Sequence, residues 1–84
     1  MFNVKTEDGV SSDLSKISAD IVKRVISKIY NELVASPRQA GKALTGEFKD
    51  LYSYRCCGDY RVIYRIIELE KTIMIIRIRQ HSYK

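Results

Sequence analysis

The sequence predicts an α+β protein: two N-terminal helices packed on one face of a small antiparallel sheet, in the order β-α-α-β-β-β. Three observations predict it. Apolar residues recur at helical spacing between Ile21 and Val34. The last part of the chain, residues 51–84, holds segments enriched in Tyr, Val and Ile, the residues that favour strands. Between the two lies a stretch punctuated by Pro37, Gly41 and Gly46.

Taken in order, Phe2 and Val4 alternate with polar neighbours and read as a first short strand. Glu7-Asp8-Gly9 is a turn. Ser11 or Ser12 caps a short helix running to about Ile17, with Asp13 suited to its first turn. Ser18 caps a longer helix that ends near Ala35. Its apolar stripe is Ile21, Val22, Val25, Ile26, Ile29, Tyr30, Leu33 and Val34. Lys23, Arg24, Ser27, Lys28, Asn31 and Glu32 face water. Pro37 prevents the helix from continuing.

Residues 36–50 read as a loop pinned to the core by Leu44 and Phe48. A linker here would leave the remaining residues too few to stand alone, so residues 1–84 are expected to form a single domain. Three strands follow, at about 51–57, 60–67 and 72–79, with Gly58-Asp59 as a two-residue hairpin turn between the first two.

Composition bounds the function. The chain has 84 residues, 45% hydrophobic and 30% charged, which is ordinary for an ordered globular unit. No apolar run is long enough to span a membrane, and the first residues lack the apolar stretch of a signal peptide. A cytoplasmic protein is expected. Cys56 and Cys57 are adjacent and read as free thiols in a reducing compartment. With His81 they are the soft ligands of the chain, and they lack zinc spacing, so no metal or other cofactor is expected. The net charge is +5. Residues 1–50 contribute eight Lys/Arg against seven Asp/Glu, and residues 51–84 seven against three. The positive field belongs to the C-terminal part and favours phosphates or an acidic protein.

Strand alternation divides this charge from the core. Val62, Tyr64 and Ile66 on the middle strand, and Met74, Ile76 and Ile78 on the last, are expected to meet the helices. The opposite sides then carry Arg61, Ile63, Arg65 and Ile67, and Ile73, Ile75, Arg77 and Arg79. Cross-strand partners share a face, so residue 61 must pair with 77 or 79, and the loop around Glu68-Leu69-Glu70 should contain three or five residues. Like charges across a strand pair are destabilising. Four arginines on one face therefore point to an anion site, against the plainer reading that they keep the face soluble.

The stretch "GDYRVIYRI", preceded by "GKALTGEFKDLY" and "LYSYR", resembles the RelE/ParE superfamily of toxins from type II toxin–antitoxin pairs. The resemblance covers nearly the whole chain and implies a RelE-like fold. Its RelE-like branch cleaves messenger RNA in the ribosomal A site without a metal: the ribose 2′-OH attacks the adjacent phosphate and leaves a 2′,3′-cyclic phosphate. Its ParE-like branch binds DNA gyrase. The resemblance favours the endoribonuclease, with a gyrase inhibitor or a catalytically impaired binding protein as alternatives.

Carried over by motif, Arg61 matches the phosphate-contacting arginine. Arg55 matches a basic residue on the preceding strand, although Cys56 and Cys57 add one residue before Gly58-Asp59. That insertion predicts a bulge near the cysteines, which would keep Arg55 off the helix-packed face. The end "IIRIRQHSYK" places Arg77, Arg79, His81 and Tyr83 where RelE-like members carry Arg or His followed by Tyr. His81 has a reference pKa suited to proton transfer, or is simply solvated. Tyr83 stacks on a base or packs the tail. The implied catalytic group is Arg61, His81, Arg55 and Tyr83. Arg65, Arg77, Arg79 and Lys49 are the implied RNA- and phosphate-binding group. One of Arg77 and Arg79 could instead pair with Glu68, Glu70 or Asp59, and Lys42 and Lys49 either extend the basic surface or are solvated loop lysines. Ser53 and Tyr54 stand where some RelE-like nucleases carry lysines. The implied partners are an acidic antitoxin, in a hetero-oligomer with the toxin, and messenger RNA on the ribosome with contacts to ribosomal RNA. No membrane partner is implied.

Overall fold

The computed structural model describes residues 2–80, without the side chain of Phe48, so the expectation that Phe48 pins the loop lies outside it. Strand β1 (Asn3–Thr6) is followed by helices α1 (Gly9–Ser15), α2 (Ala19–Lys28) and α3 (Pro37–Ala40), and then by strands β2 (Lys42–Ala43), β3 (Tyr52–Cys56), β4 (Tyr60–Ile67) and β5 (Thr72–Gln80). The sheet order is β1-β5-β4-β3-β2. The α+β class holds. The sheet is mixed, because β1 runs parallel to β5 at one edge. The expected loop over 36–50 also contains a one-turn helix and a two-residue edge strand.

Helix α2 starts where Ser18 is extended, with Asp20 in its first turn and Lys28 in its last, both matched to the helix dipole. It continues through a single π-turn, Ile29–Leu33, closed by the Val34 N–H donating to the Ile29 carbonyl at 3.0 Å. The extra residue in that turn brings Leu33 and Val34 inward together. Ile26 and Tyr30, expected on the buried stripe, are instead 40% and 59% exposed. Helix α1 begins two to three residues before the serines proposed as its cap.

The core joins Val10, Val25, Ile29, Leu33 and Val34 of the helical layer to Tyr54, Cys56, Val62, Tyr64, Ile73, Ile75 and Ile78 of the sheet. Burying each large side chain stabilises by about 1.5–3 kcal/mol. On β5 the inward set is Ile73, Ile75 and Ile78, not Met74, Ile76 and Ile78. The cause is a register shift between Ile63 and Tyr64. Ile63 pairs with Arg77 and Tyr64 with Ile75, leaving Ile76 as the extra residue of a bulge. A bulge inverts parity. Arg61 therefore pairs with Arg79, as alternation required, while the β4–β5 connection has four residues, Glu68 to Lys71, rather than three or five.

The β3–β4 hairpin differs in the complementary way. Its register is unbroken from Tyr52↔Tyr64 to Cys56↔Tyr60. The inserted residue enters the turn, which spans Cys57, Gly58 and Asp59 with Cys57 and Gly58 both at positive φ. No bulge near the cysteines is needed to aim Arg55 outward.

Tyr64 locks the middle segment to the sheet. Its hydroxyl donates to the Pro37 carbonyl and also hydrogen-bonds the Gly41 backbone, and burial pushes its pKa up to about 12. A Cβ at Gly41 would collide with that hydroxyl and ring. Gly41→Ala is expected to destabilise the fold by about 1–3 kcal/mol, read as the midpoint shift in urea.

Candidate nucleic-acid interface

Alternation on three neighbouring strands creates one transverse row of arginines. Arg55 on β3 faces Arg61 on β4, which faces Arg79 on β5. Strands lie about 4.8 Å apart, so three cationic residues fall within about 10 Å across the sheet. Arg55 and Arg79 are exposed and Arg61 is half-buried. The Arg55 Nε–H donates to the Gly58 carbonyl at 3.3 Å, which ties the row to the hairpin turn. Among the described residues neither Arg61 nor Arg79 makes an ion pair. A groove of about 480 Å³ runs beside Arg55 and Arg61, floored by Ser53 and walled by the segment from Gln39 to Leu44, including Lys42.

The other candidates are placed differently. Arg65 lies four residues along β4 from Arg61, about 13 Å at strand rise. With Arg38, Lys49 and Tyr52 it lines a second groove of about 650 Å³, which Glu47 and Asp50 also enter. Arg38 pairs with Glu68 and donates to the Tyr52 hydroxyl at 3.5 Å. Tyr52 stacks on Tyr64 with ring centroids 5.4 Å apart. His81 and Tyr83 lie outside the described residues.

Arg77 turns from the row to the sheet edge. β1 covers β5 only along Thr72–Ile75. Beyond that the edge is closed by the turn before α1, whose Glu7 N–H donates to the Ile75 carbonyl at 2.9 Å, and by α1 itself, whose Asp13 Oδ2 accepts the Ile78 N–H at 3.0 Å. Asp13 also receives Arg77 Nε–H at 2.9 Å on Oδ2 and Nη2–H at 3.1 Å on Oδ1. The carboxyl titrates below its ordinary 3.8, chiefly because Arg77 hydrogen-bonds the carboxylate. Burial opposes this, while the Ile78 N–H and the charges of Arg77 and Arg79 reinforce it. Arg77 thus pairs with Asp13 and not with Glu68, Glu70 or Asp59.

The structure therefore brings Arg55, Arg61 and Arg79 together and separates Arg65 with Lys49. It adds Arg38 to the sequence reading, places Lys42 on the groove beside Arg55 and Arg61, and makes Asp13, expected in the first turn of its helix, a partner of β5 from beyond that turn. A signal for Asp13 exists, since Val10, Asp13, Leu14 and Ile17 share helical spacing with an apolar face. Among the described residues no His, Cys, Asp or Glu side chains converge in threes to hold a metal ion. No helix among them is long and apolar enough to cross a membrane.

Two outcomes follow from the geometry. Arg61 sits between two like charges, so Arg61→Thr is expected to stabilise the fold by about 0.2–1 kcal/mol at low salt. Chemical denaturation in urea at rising salt should show that gain shrinking. Asp13→Ala is expected to cost about 1–3 kcal/mol at pH 7, because it orphans the Ile78 N–H and a charged partner. A carboxyl whose folded pKa is depressed stabilises above its unfolded value, and that contribution is lost as pH falls through the folded one. The gap between native protein and Asp13→Ala should therefore close in acid denaturation curves as pH drops below the unfolded value near 4.

Residues 4–83 match the ParE toxin family, the toxins of the type II toxin–antitoxin system parDE. The chain is 28% identical over 81 residues to toxin RelE of Mycobacterium tuberculosis, covering 96% of this chain and 82% of that toxin. It is 30% identical over 77 residues to toxin RelG of the same organism, covering 92% and 87%. Its structure superposes on the toxin–antitoxin complex RelBE2 of Mycobacterium tuberculosis with a TM-score of 0.90 at 28% identity, covering 98% and 93%. The isolated E. coli RelE toxin shares the fold, with a TM-score of 0.82 at 17% identity, covering 100% and 88%. The chain belongs to the RelE/ParE superfamily of toxins from type II toxin–antitoxin systems.

Proposed function

We propose that this toxin is a ribosome-dependent endoribonuclease that cuts messenger RNA and so inhibits translation in the cytoplasm. The observation that carries the reading is the row Arg55, Arg61 and Arg79, like charges set opposite one another across three strands. Such a row costs stability without an anion and suits a phosphodiester whose charge grows during reaction. The likeness to RelE and RelG toxins supports the same reading.

In this mechanism the 2′-oxygen attacks the adjacent phosphorus, the 2′-O–P bond forms and the P–O5′ bond breaks. Arg61, central in the row, holds the equatorial oxygens of the pentacovalent phosphate, flanked by Arg55 and Arg79. His81 follows β5 directly in sequence and is the general acid or base. It takes the 2′-OH proton or supplies the one that the 5′-oxygen receives. Tyr83 stacks on or orients the cut nucleotide. Arg65 and Lys49 take the neighbouring stretch of backbone or ribosomal RNA. Arg77 contributes through its charge while held by Asp13. The reaction ends in a 2′,3′-cyclic phosphate and a 5′-hydroxyl.

Residues 1–84 act as one toxin domain. An acidic antitoxin that folds as it binds is the cognate partner, and the toxin–antitoxin complexes known for RelBE2 and for E. coli RelBE support a hetero-oligomer of this kind. The match to the ParE toxin family favours one second reading, a DNA gyrase inhibitor that needs no phosphate chemistry.

Mapping message ends after induction tests both. New ribosome-dependent 5′ ends should appear with the native chain, and Arg61→Ala should reduce their rate of formation by about 100-fold or more. Growth arrest with intact messages and a DNA-damage response would overturn the nuclease in favour of gyrase.

A further inference from the structure

We infer that Cys56 and Cys57 form a reversible dithiol–disulfide site, oxidised by a small peroxide, at the turn that carries the arginine row. Adjacent residues on a strand normally point to opposite faces. Here Cys57 has left the strand with φ of 52°, in the left-handed region that a non-glycine residue seldom occupies. Both residues belong to the helix-side layer, Cys56 within the core and Cys57 packed against it. Cys57 is among the neighbours that, after burial, push the Cys56 thiol's pKa up, and it shares a groove with Lys28 of α2. The left-handed residue thus folds two consecutive sulfurs onto one side.

Access differs between them. Cys56 is buried, and desolvation holds its thiol protonated. Cys57 is half-buried and opens on a groove of about 450 Å³ lined by Lys23, Arg24, Ser27 and Lys28. Cys57 is therefore the sulfur a peroxide reaches, and Cys56 the resolving one. The Cys57 sulfur attacks a peroxide oxygen, the O–O bond breaks, water leaves and a sulfenic acid forms. The Cys56 sulfur then attacks the Cys57 sulfur. An S–S bond forms as the S–O bond breaks, and the Cys56 proton departs with the hydroxide as water. Two thiols are oxidised, and one hydrogen peroxide is reduced to two waters. A disulfide closed through a single peptide is strained, and strained disulfides are the readily reduced, regulatory ones.

The consequence for the site rests on the nuclease reading above. Arg55 precedes the pair and bonds the Gly58 carbonyl just after it, while Arg61 opens the next strand. Closing the ring re-forms this turn and moves Arg55 relative to Arg61.

Treating the full chain with hydrogen peroxide and reading its intact mass tests the chemistry. The expected product has lost two hydrogens, resists thiol alkylation, stays monomeric and is restored by dithiothreitol. Cys57→Ser, a change of one half-exposed atom, should abolish that product. Two thiols still alkylated, a stable oxygenated Cys57, or disulfide-linked dimers would overturn the site. In the same samples, message cleavage should fall severalfold on oxidation of the native chain and stay unchanged in Cys57→Ser. Cleavage indifferent to the disulfide would overturn the regulatory role. A chain that cleaves in neither redox state would strike the nuclease reading while the mass result judges the cysteine site separately.

Discussion

The structure depends on a strand with two unlike faces. β4 places Val62 and Tyr64 in the core and Arg61 and Arg65 on the other side. Alternation allows this because it turns the arginines of β4 away from the core. The apolar face must then offset the repulsion of the charged one. A chain of 84 residues has little surplus for that, since a unit of this size buries only about 60% of its unfolded surface. Hence the dense packing beneath the arginines, with Val25, Leu33, Val62, Tyr64 and Ile73 at or near zero exposure. A negatively charged ligand or partner would relieve the repulsion and stabilise the protein by mass action.

Most of this was legible from residue order. The long amphipathic helix, the three C-terminal strands and the outward direction of Arg61 and Arg79 follow from periodicity alone. The inward set of β5 was not legible, because Met74, Ile76 and Ile78 are as apolar as Ile73 and Ile75. A run that is hydrophobic on both faces carries no parity signal. Only the bulge at Ile76 decides, and bulges depend on tertiary fit. The hairpin failed for the opposite reason: the extra residue was visible, but whether a strand or a turn absorbs it depends on Cys57 accepting a left-handed backbone. The helical spacing around Asp13 was legible but its partners were not, since the Ile78 N–H lies 65 residues away in sequence.

Arg77 shows why counting arginines on a face overstates a site. Four on β4 and β5 share it by alternation with Arg55 of β3, yet one, Arg77, is held at the edge by a carboxylate from another element. The same carboxylate satisfies a backbone donor that β1 is too short to reach. An edge left open there would present a free ladder for another chain. Asp13 thus serves the sheet first and the charge pattern second, and the row that remains is narrower and better centred on Arg61.

The sheet order also bears on how the protein is made. The last described strand, β5, is not at an edge: it lies between β1 and β4. Synthesis proceeds from the N-terminus, so β1 has no neighbour to pair with until β5 has emerged. The arginine row likewise lacks its third member until then. A partly synthesised chain holds neither a closed sheet nor a complete cationic row. Assembly of the cationic face must therefore wait for the sheet's most distant pairing in sequence.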